Sequence, residues 1–336
     1  MPVRDTTRAG MHDAEFERMK QMKKIAVLLL ALLVLAGIAA PNIPSALAET
    51  LPKGPVVVAT MIDSEGAVIG SMMVQLLRQA GFEVIDNTEF GTPDILRMAL
   101  LAGEVDLVLD YTGSGQYYHE TDSTDVWSDP VLGYEKTRDL DLAANDLVWL
   151  TPADANNTEG LAVRRAFALE HGLKTVQDLA DYINAGKPVK LITASSFAEN
   201  VKGLLGFEEA YGFRLEADQL IVLASGNTAE MLKALYEQRD GVNVSLVYGT
   251  DGALNQMDLV VLEDPKSIPP VYLPAPVIRG DLHRAYPEIE ETLKPLFLSL
   301  TLETLQQLNA QVAFDGKAAK DVASEYLAQN GLLVSE

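Results

Sequence analysis

The sequence predicts an α/β fold of two lobes, each a sheet with helices on both faces. Short runs rich in Val, Ile and Leu recur along the chain, and between them stand segments whose apolar residues fall at helical spacing. Such alternation builds strands covered by helices on either side. Even the 288 residues that follow position 48 exceed the usual size of a single hydrophobic core, so the chain is expected to divide.

Each element has its own signal. VVVAT reads as a buried strand. Ser64 to Ala80 reads as a helix closed by Gly81, and FEVI as the next strand. In GTPD, Thr92 is placed to cap a helix whose first residue is Pro93, where a missing N–H costs nothing. VDLVLD is a strand that delivers the chain to DYTGSGQYYHE, Asp110 to Glu120. LVWLT follows as a strand, ADANNT as a polar break and LAVRR as another strand. Thr175 with Asp178 forms a capping box for TVQDLADYINAG. KLITA and LIVLAS are strands, and Asn227 with Glu230 three residues later opens a helix. VNVSLVYG, LVVLED and YLPAPVIR add strands, and helices close the chain from Asp281 onward. ADANNT and the proline-rich PPVYLPAP are expected near the hinge or cleft. Trp149 reads as core and Trp127 as a surface anchor for its loop. Tyr117 and Tyr118 are expected to begin a short helix and pack on the lobe. The pairs Glu208, Glu209 and Glu290, Glu291 read as solvated helix faces.

The N-terminus carries a processing signal. Arg18, Lys20, Lys23 and Lys24 precede IAVLLLALLVLAGIAA, and Ala46-Leu47-Ala48 is a small-x-small cleavage site. Residues 1–48 are therefore expected to be a cleavable signal peptide. A membrane anchor is the alternative, although the apolar run from Ile25 to Ala40 falls short of a comfortable span. The formal net charge is −22, and the leader carries six Lys/Arg against four Asp/Glu, so its removal leaves a still more acidic chain. That balance repels phosphate backbones and anionic lipid, which excludes nucleic acid as a partner. With no cysteine there is no disulfide, thiolate metal site or acylated tether. His12, His119, His171 and His283 are scattered, so no metal site and no cofactor are expected. A free protein of a Gram-negative periplasm fits these features.

The chemistry lies at strand ends, where ligands bind in open α/β sheets. Tyr111 follows VDLVLD, Tyr248 follows VSLV, and Tyr272 stands beside a proline pair. Tyrosine faces attract a cation by about 0.5–2 kcal/mol each, and several together cage a quaternary ammonium. Gly113 and Gly115 would let backbone approach closely, and Thr112 or Ser114 could donate a hydrogen bond. Asp110 and Asp251 are expected to hold their loops by accepting backbone N–H groups.

IDSEGAVIG, GEVDLVLDYTGSG, YEKTRDLD, LVWLTPADANNT, FEEAYGF, VYGTDG, YLPAPVIR and TLQQLNA occur in this order over nearly the whole chain after the leader. In these runs the chain resembles the substrate-binding proteins of osmoprotectant ABC importers, those for glycine betaine, choline, carnitine and related quaternary amines, and among them the OsmF-type branch. The resemblance implies the type II two-lobed binding-protein fold, with a mixed sheet in each lobe, two crossovers and a ligand cleft between. Lobe 1 is then expected over 49–154 and 252–336, and lobe 2 over 155–251. It also implies cage tyrosines at Tyr111, Tyr248 and Tyr272, a polar contact to a ligand carboxylate from Ser114, and a backbone carbonyl from Asn157.

The departures from the family pattern bear on the ligand. Met61 stands where the family has a lysine, Asn200 where it has a carboxylate-binding arginine, and Glu159 where an aromatic often follows NNT. Hydrogen bonds to charged groups contribute about 1.5–3 kcal/mol each, so losing two weakens a zwitterion by about 3–6 kcal/mol. Glycine betaine is then expected to bind weakly, and a choline-like cation better, with Glu159 as counter-charge if it faces the cleft. The implied partners are a small quaternary-ammonium ligand and an ABC permease in the inner membrane, served by a monomer. A periplasmic receptor for a sensor would use the same cleft. An enzyme pairing Asp110 with His119 is the remaining alternative, although no G-x-S-x-G elbow, phosphate loop or HExxH helix is present.

Overall fold

The computed structural model describes residues 53–121, 125–224 and 228–333. The predicted leader and the predicted helix cap Asn227 lie outside them. No helix of the described residues is long and apolar enough to cross a membrane.

The described strands form two five-stranded sheets. The first takes β1 (Lys53–Met61), β2 (Phe82–Gly91), β3 (Leu107–Tyr111), β4 (Leu147–Trp149) and β10 (Pro274–Arg279) in the order β2-β1-β3-β10-β4. The second takes β5 (Glu159–Arg164), β6 (Leu191–Ala194), β7 (Leu220–Leu223), β8 (Val244–Tyr248) and β9 (Leu259–Val261) in the order β7-β6-β8-β5-β9. These are one topology used twice. In each sheet three strands run parallel and the fourth is antiparallel to both neighbours. That fourth strand, β10 or β5, is the one the chain delivers on arriving from the other lobe. This is the mixed-sheet, type II arrangement that the resemblance implies.

The second crossing falls later than the expected 251/252. β9 adds to the second sheet through Ala162↔Val261 and Arg164↔Leu259, so the chain is still in lobe 2 there. Asp264 keeps the next turn with that lobe by accepting from the Tyr211 hydroxyl and from Ile268 N. The crossing segment is 269–273, and it runs beside the first: Ala153 N donates to Pro274 O and Asn157 N to Tyr272 O, both at 2.9 Å.

Capping and periodicity explain the helices that frame the cleft. In α1 (Ser64–Gln79) the Asp63 carboxylate accepts from Gly66 N at 2.6 Å, and Val68, Ile69, Met72, Met73, Leu76 and Leu77 form the buried face. α2 (Pro93–Ala102) starts at its proline, but Thr92 makes no side-chain cap; Gly103 ends the helix at φ 73°. α3 (Pro130–Asn145) is capped by Asp129, and α4 (Val176–Asn184) carries the predicted Thr175/Asp178 box. α5 (Thr228–Glu237) covers lobe 2, and α6 (Leu302–Ala313) packs on α1.

Two predicted surface roles are reversed. Trp127 is fully buried, donating Nε1–H to Thr137 Oγ1 at 2.7 Å, because its ring closes the gap between the loop and α3. Glu208 is buried too: it accepts from Leu215 N at 2.9 Å and pairs with Arg214, which satisfies backbone after its helix ends.

Candidate functional site

The shared topology places the tyrosines. In lobe 1 Tyr111 ends β3 and pairs with Pro274, the first residue of β10, so Tyr272 lies just beyond that pair. In lobe 2 Tyr248 ends β8 and pairs with Glu159, the first residue of β5. Each lobe thus presents the end of a parallel strand and the start of the crossing strand beside it.

The DYTGSGQYYHE loop is held from beneath. Asp110 accepts from Tyr111 N at 2.7 Å and from the Tyr118 hydroxyl at 2.9 Å. Burial pushes the Asp110 carboxyl up to about 6, against those hydrogen bonds, one from Ser114 and the charge of Arg97. Arg97 lies 4.0 Å over the Tyr118 ring and forks onto the buried Asp141 at 2.7 and 2.5 Å. Asp141 also accepts from Trp149 Nε1 at 2.7 Å and Asn145 Nδ2 at 2.9 Å. Burial works to raise the Asp141 carboxyl, but the Arg97 hydrogen bonds and charge hold it below its ordinary value. The loop glycines are required by close approach. A Cβ on Gly113 would stand 2.8 Å from two Tyr272 ring carbons, and one on Gly115 would stand 2.0 Å from Thr137 Oγ1.

Tyr248 and Tyr272 lie within the field of the Glu159 carboxylate. Tyr272 Oη accepts from Gln116 Nε2 at 2.9 Å and lies 3.2 Å from Tyr117 Oη. Burial raises the Tyr272 and Tyr248 hydroxyls well above the tyrosine range, and the fields of Tyr117 and Glu159 act on both. Tyr117, Tyr248, Tyr272 and Glu159 are therefore close enough to feel one another. Desolvation alone lifts the Glu159 carboxyl to about 7. Tyr111, 8 % exposed, packs in one cluster with Met61 and Tyr272 and donates its hydroxyl to Glu65 Oε1 at 2.6 Å.

Other predicted residues fall outside this group. Met61 is buried in the lobe 1 core beside Tyr111. Asn200 follows the short helix Ser195–Ala198, and its Oδ1 accepts from Lys202 N at 2.8 Å in an Asx turn. The Ser114 hydroxyl hydrogen-bonds Asp110 and Tyr118 beneath the loop. Asn157 lies at the crossing, its Nδ2 3.5 Å from Glu65 Oε1. The acid–base pair is not formed: His119 Nε2 turns to Asp141 Oδ1 at 3.2 Å, while Asp110 is engaged by Tyr111 and Tyr118. Among the described residues no cluster of His, Asp and Glu could hold a metal ion.

Two α/β lobes of one topology, each with a tyrosine at the end of a parallel strand, suit a binding protein, and the family comparison decides which kind. A family model described as the substrate binding domain of an ABC-type glycine betaine transport system matches residues 54–329. The chain belongs to that family. It is 42% identical over 277 residues, 82% of this chain and 91% of the relative, to the glycine betaine-binding protein YehZ of Escherichia coli (strain K12). The apo structure of that protein matches with a TM-score of 0.73, covering 83% of this chain and 100% of the other at 42% identity. A glycine-betaine-binding protein of Pseudomonas aeruginosa is 30% identical over 276 residues, 80% of this chain and 86% of the relative. The chain is thus the substrate-binding component of an ABC transporter, a role that implies a small ligand and a permease partner.

Two residues that the sequence does not single out stand against these tyrosines. Tyr117 was expected to pack on the lobe, yet it is 63 % exposed, with its hydroxyl beside that of Tyr272; the four-residue helix Gly115–Tyr118 turns it outward and Tyr118 inward. Glu65, within IDSEGAVIG, is buried behind Tyr111. A charged residue inside an otherwise apolar helix face was the signal available for it.

Proposed function

We propose that the protein captures a small quaternary-ammonium cation between its lobes and delivers it to the permease. Tyr111, Tyr117, Tyr248 and Tyr272 form the aromatic walls and Glu159 supplies the counter-charge. The observation that carries this reading is the half-buried Glu159 carboxylate at the start of β5, register partner of Tyr248 and within the fields of Tyr248 and Tyr272, with no ion pair or side-chain hydrogen bond of its own among the described residues. A choline-like ligand places its ammonium against π faces and gains the charge of Glu159. Glycine betaine brings a carboxylate to a site where Met61 and Asn200 replace two cations, so it binds more weakly. The working form is a monomer in the periplasm, freed of its leader at Ala48, and it performs no catalysis.

The names of the two relatives favour a second reading, glycine betaine as the natural ligand. Neutral Glu159 could then donate to the betaine carboxylate. Titration calorimetry at pH 8 with choline and glycine betaine separates the two. Tighter choline binding, lost tenfold or more in Tyr111→Ala and in Glu159→Gln, supports the cation reading. Tighter betaine binding with an unchanged Glu159→Gln variant overturns it.

A further inference from the structure

A buried hydrogen-bonded chain joins the two lobes behind Tyr111. Tyr111 in lobe 1 donates to Glu65 Oε1 at 2.6 Å, and Asn309 Nδ2 donates to Glu65 Oε2 at 2.8 Å. The same Nδ2 donates to Thr250 O at 2.9 Å, and Thr250 stands two residues after Tyr248 in lobe 2. Glu65, Thr250 and Asn309 are 5 %, 3 % and 7 % exposed. Asn309 belongs to α6, which packs on α1 of lobe 1, so Asn309 and Glu65 are one lobe's contribution and the segment after β8 is the other's.

The contact is broader than one side chain. Gln306 Nε2 donates to Gly249 O at 2.8 Å, and Gln306 Oε1 accepts from Asn255 Nδ2 at 3.2 Å. A Cβ on Gly252 would stand 2.3 Å from Ala310 N, so this stretch of lobe 2 sits directly on the α6 backbone. The Thr250 side chain adds a hydrogen bond to Glu65. Both partners of Asn309 Nδ2 are acceptors, which fixes the amide orientation. The consequence is that Asn309 Oδ1 is buried and, among the described residues, is the side-chain polar atom left without a partner. Asparagine at this position is therefore explained by its two donated bonds.

We propose that Glu65 and Asn309 are positioning residues of an inter-lobe clasp that sets the separation of Tyr111 from Tyr248 before any ligand arrives. The proposal rests on the reading of those tyrosines as cage walls. The clasp makes the ligand-free protein partly pre-organised, so that binding meets walls already in register.

The absence of cysteine makes the test direct. Spin labels on Glu135→Cys in α3 and Lys233→Cys in α5, both exposed, report the distance between lobes by double electron–electron resonance. In ligand-free protein, Asn309→Leu and Glu65→Gln are each expected to broaden that distribution toward longer distances, at temperatures where circular dichroism is unchanged. Glu65→Gln keeps the shape but removes the charge, and it can accept at only one of the two positions where the carboxylate accepts from Tyr111 and Asn309. Choline at saturation is expected to restore the wild-type distance, with affinity reduced about tenfold. If either variant fails to fold, the other decides. Wild-type distributions in the folded variants overturn the clasp. Failure of the wild type to bind any quaternary ammonium refutes the cage reading instead, and leaves the ligand-free distances to judge the clasp.

Discussion

Glu159 and Tyr248 stand opposite one another as register partners where β5 begins and β8 ends, and desolvation alone lifts the Glu159 carboxyl to about 7. An anion in that position works in opposite directions on two ligand classes. A cation binds the ionised form, so choline affinity is expected to rise as pH climbs through about 7. A zwitterion whose carboxylate meets Glu159 binds the protonated form, so betaine affinity is expected to fall over the same window. Calorimetric titrations at pH 5.5 and 8.5 check both slopes. Parallel slopes for the two ligands would place the carboxylate away from the site.

The same group carries a stability consequence. Its folded value of about 7 lies above the 4.5 of an ordinary glutamate, so folding favours the protonated form. Stability from Glu159 is full below about pH 4.5 and is lost as pH rises through about 7. Glu159→Gln removes the charge while keeping the shape. At pH 8 the ligand-free variant is expected to unfold about 1–3 kcal/mol less readily than wild type, and at pH 4.5 the two should coincide. Urea denaturation at both values measures the difference. Equal stability at pH 8 would mean that the carboxylate is well solvated.

The doubled sheet was legible because its strands are apolar runs with turn signals between them: KLITA, LIVLAS and VNVSLVYG all form strands near their predicted places. The second crossing was not, because β9 is three residues long and its pairing with β5 depends on contacts nearly a hundred residues away. Tyr111, Tyr248 and Tyr272 could be singled out by their position at strand ends. Tyr117 and Tyr118 could not be told apart. Which of two adjacent residues in a single helical turn faces outward is set by Arg97 and Asp110, both of which grip Tyr118. Asn200 shows the converse limit. Its place in the sequence matched a ligand-binding position, while its side chain closes a local turn.

Tyr117 provides a test of the cage that barely disturbs the fold. It is 63 % exposed and its hydroxyl meets that of Tyr272 at 3.2 Å. A cation–π contact at an exposed face contributes about 0.5–1 kcal/mol, or about two- to fivefold in affinity. Tyr117→Ala is expected to weaken choline binding by that factor with little change in unfolding free energy. Tyr117→Phe should retain most of the affinity, since the ring face survives. An alanine variant that binds as wild type would remove Tyr117 from the walls.

Asp141 supports the loop from a greater depth, and its removal should be costly. It accepts from Arg97, Trp149 and Asn145 and faces His119, and it is fully buried beneath DYTGSGQYYHE. Deleting one member of a buried ion pair leaves the other charge uncompensated, which costs about 3–5 kcal/mol. Asp141→Ala is expected to lose that much unfolding free energy in urea. Asp141→Asn should lose less, because an amide can still accept from Trp149 but cannot neutralise Arg97. The Arg97 side chain lies against Tyr118, and Tyr118 holds Asp110 at the base of Tyr111, so the damage reaches the cleft. Choline affinity in Asp141→Asn should therefore fall even where the variant remains fully folded. Unaltered affinity together with a stability loss would confine Asp141 to the core and detach it from the placement of Tyr111.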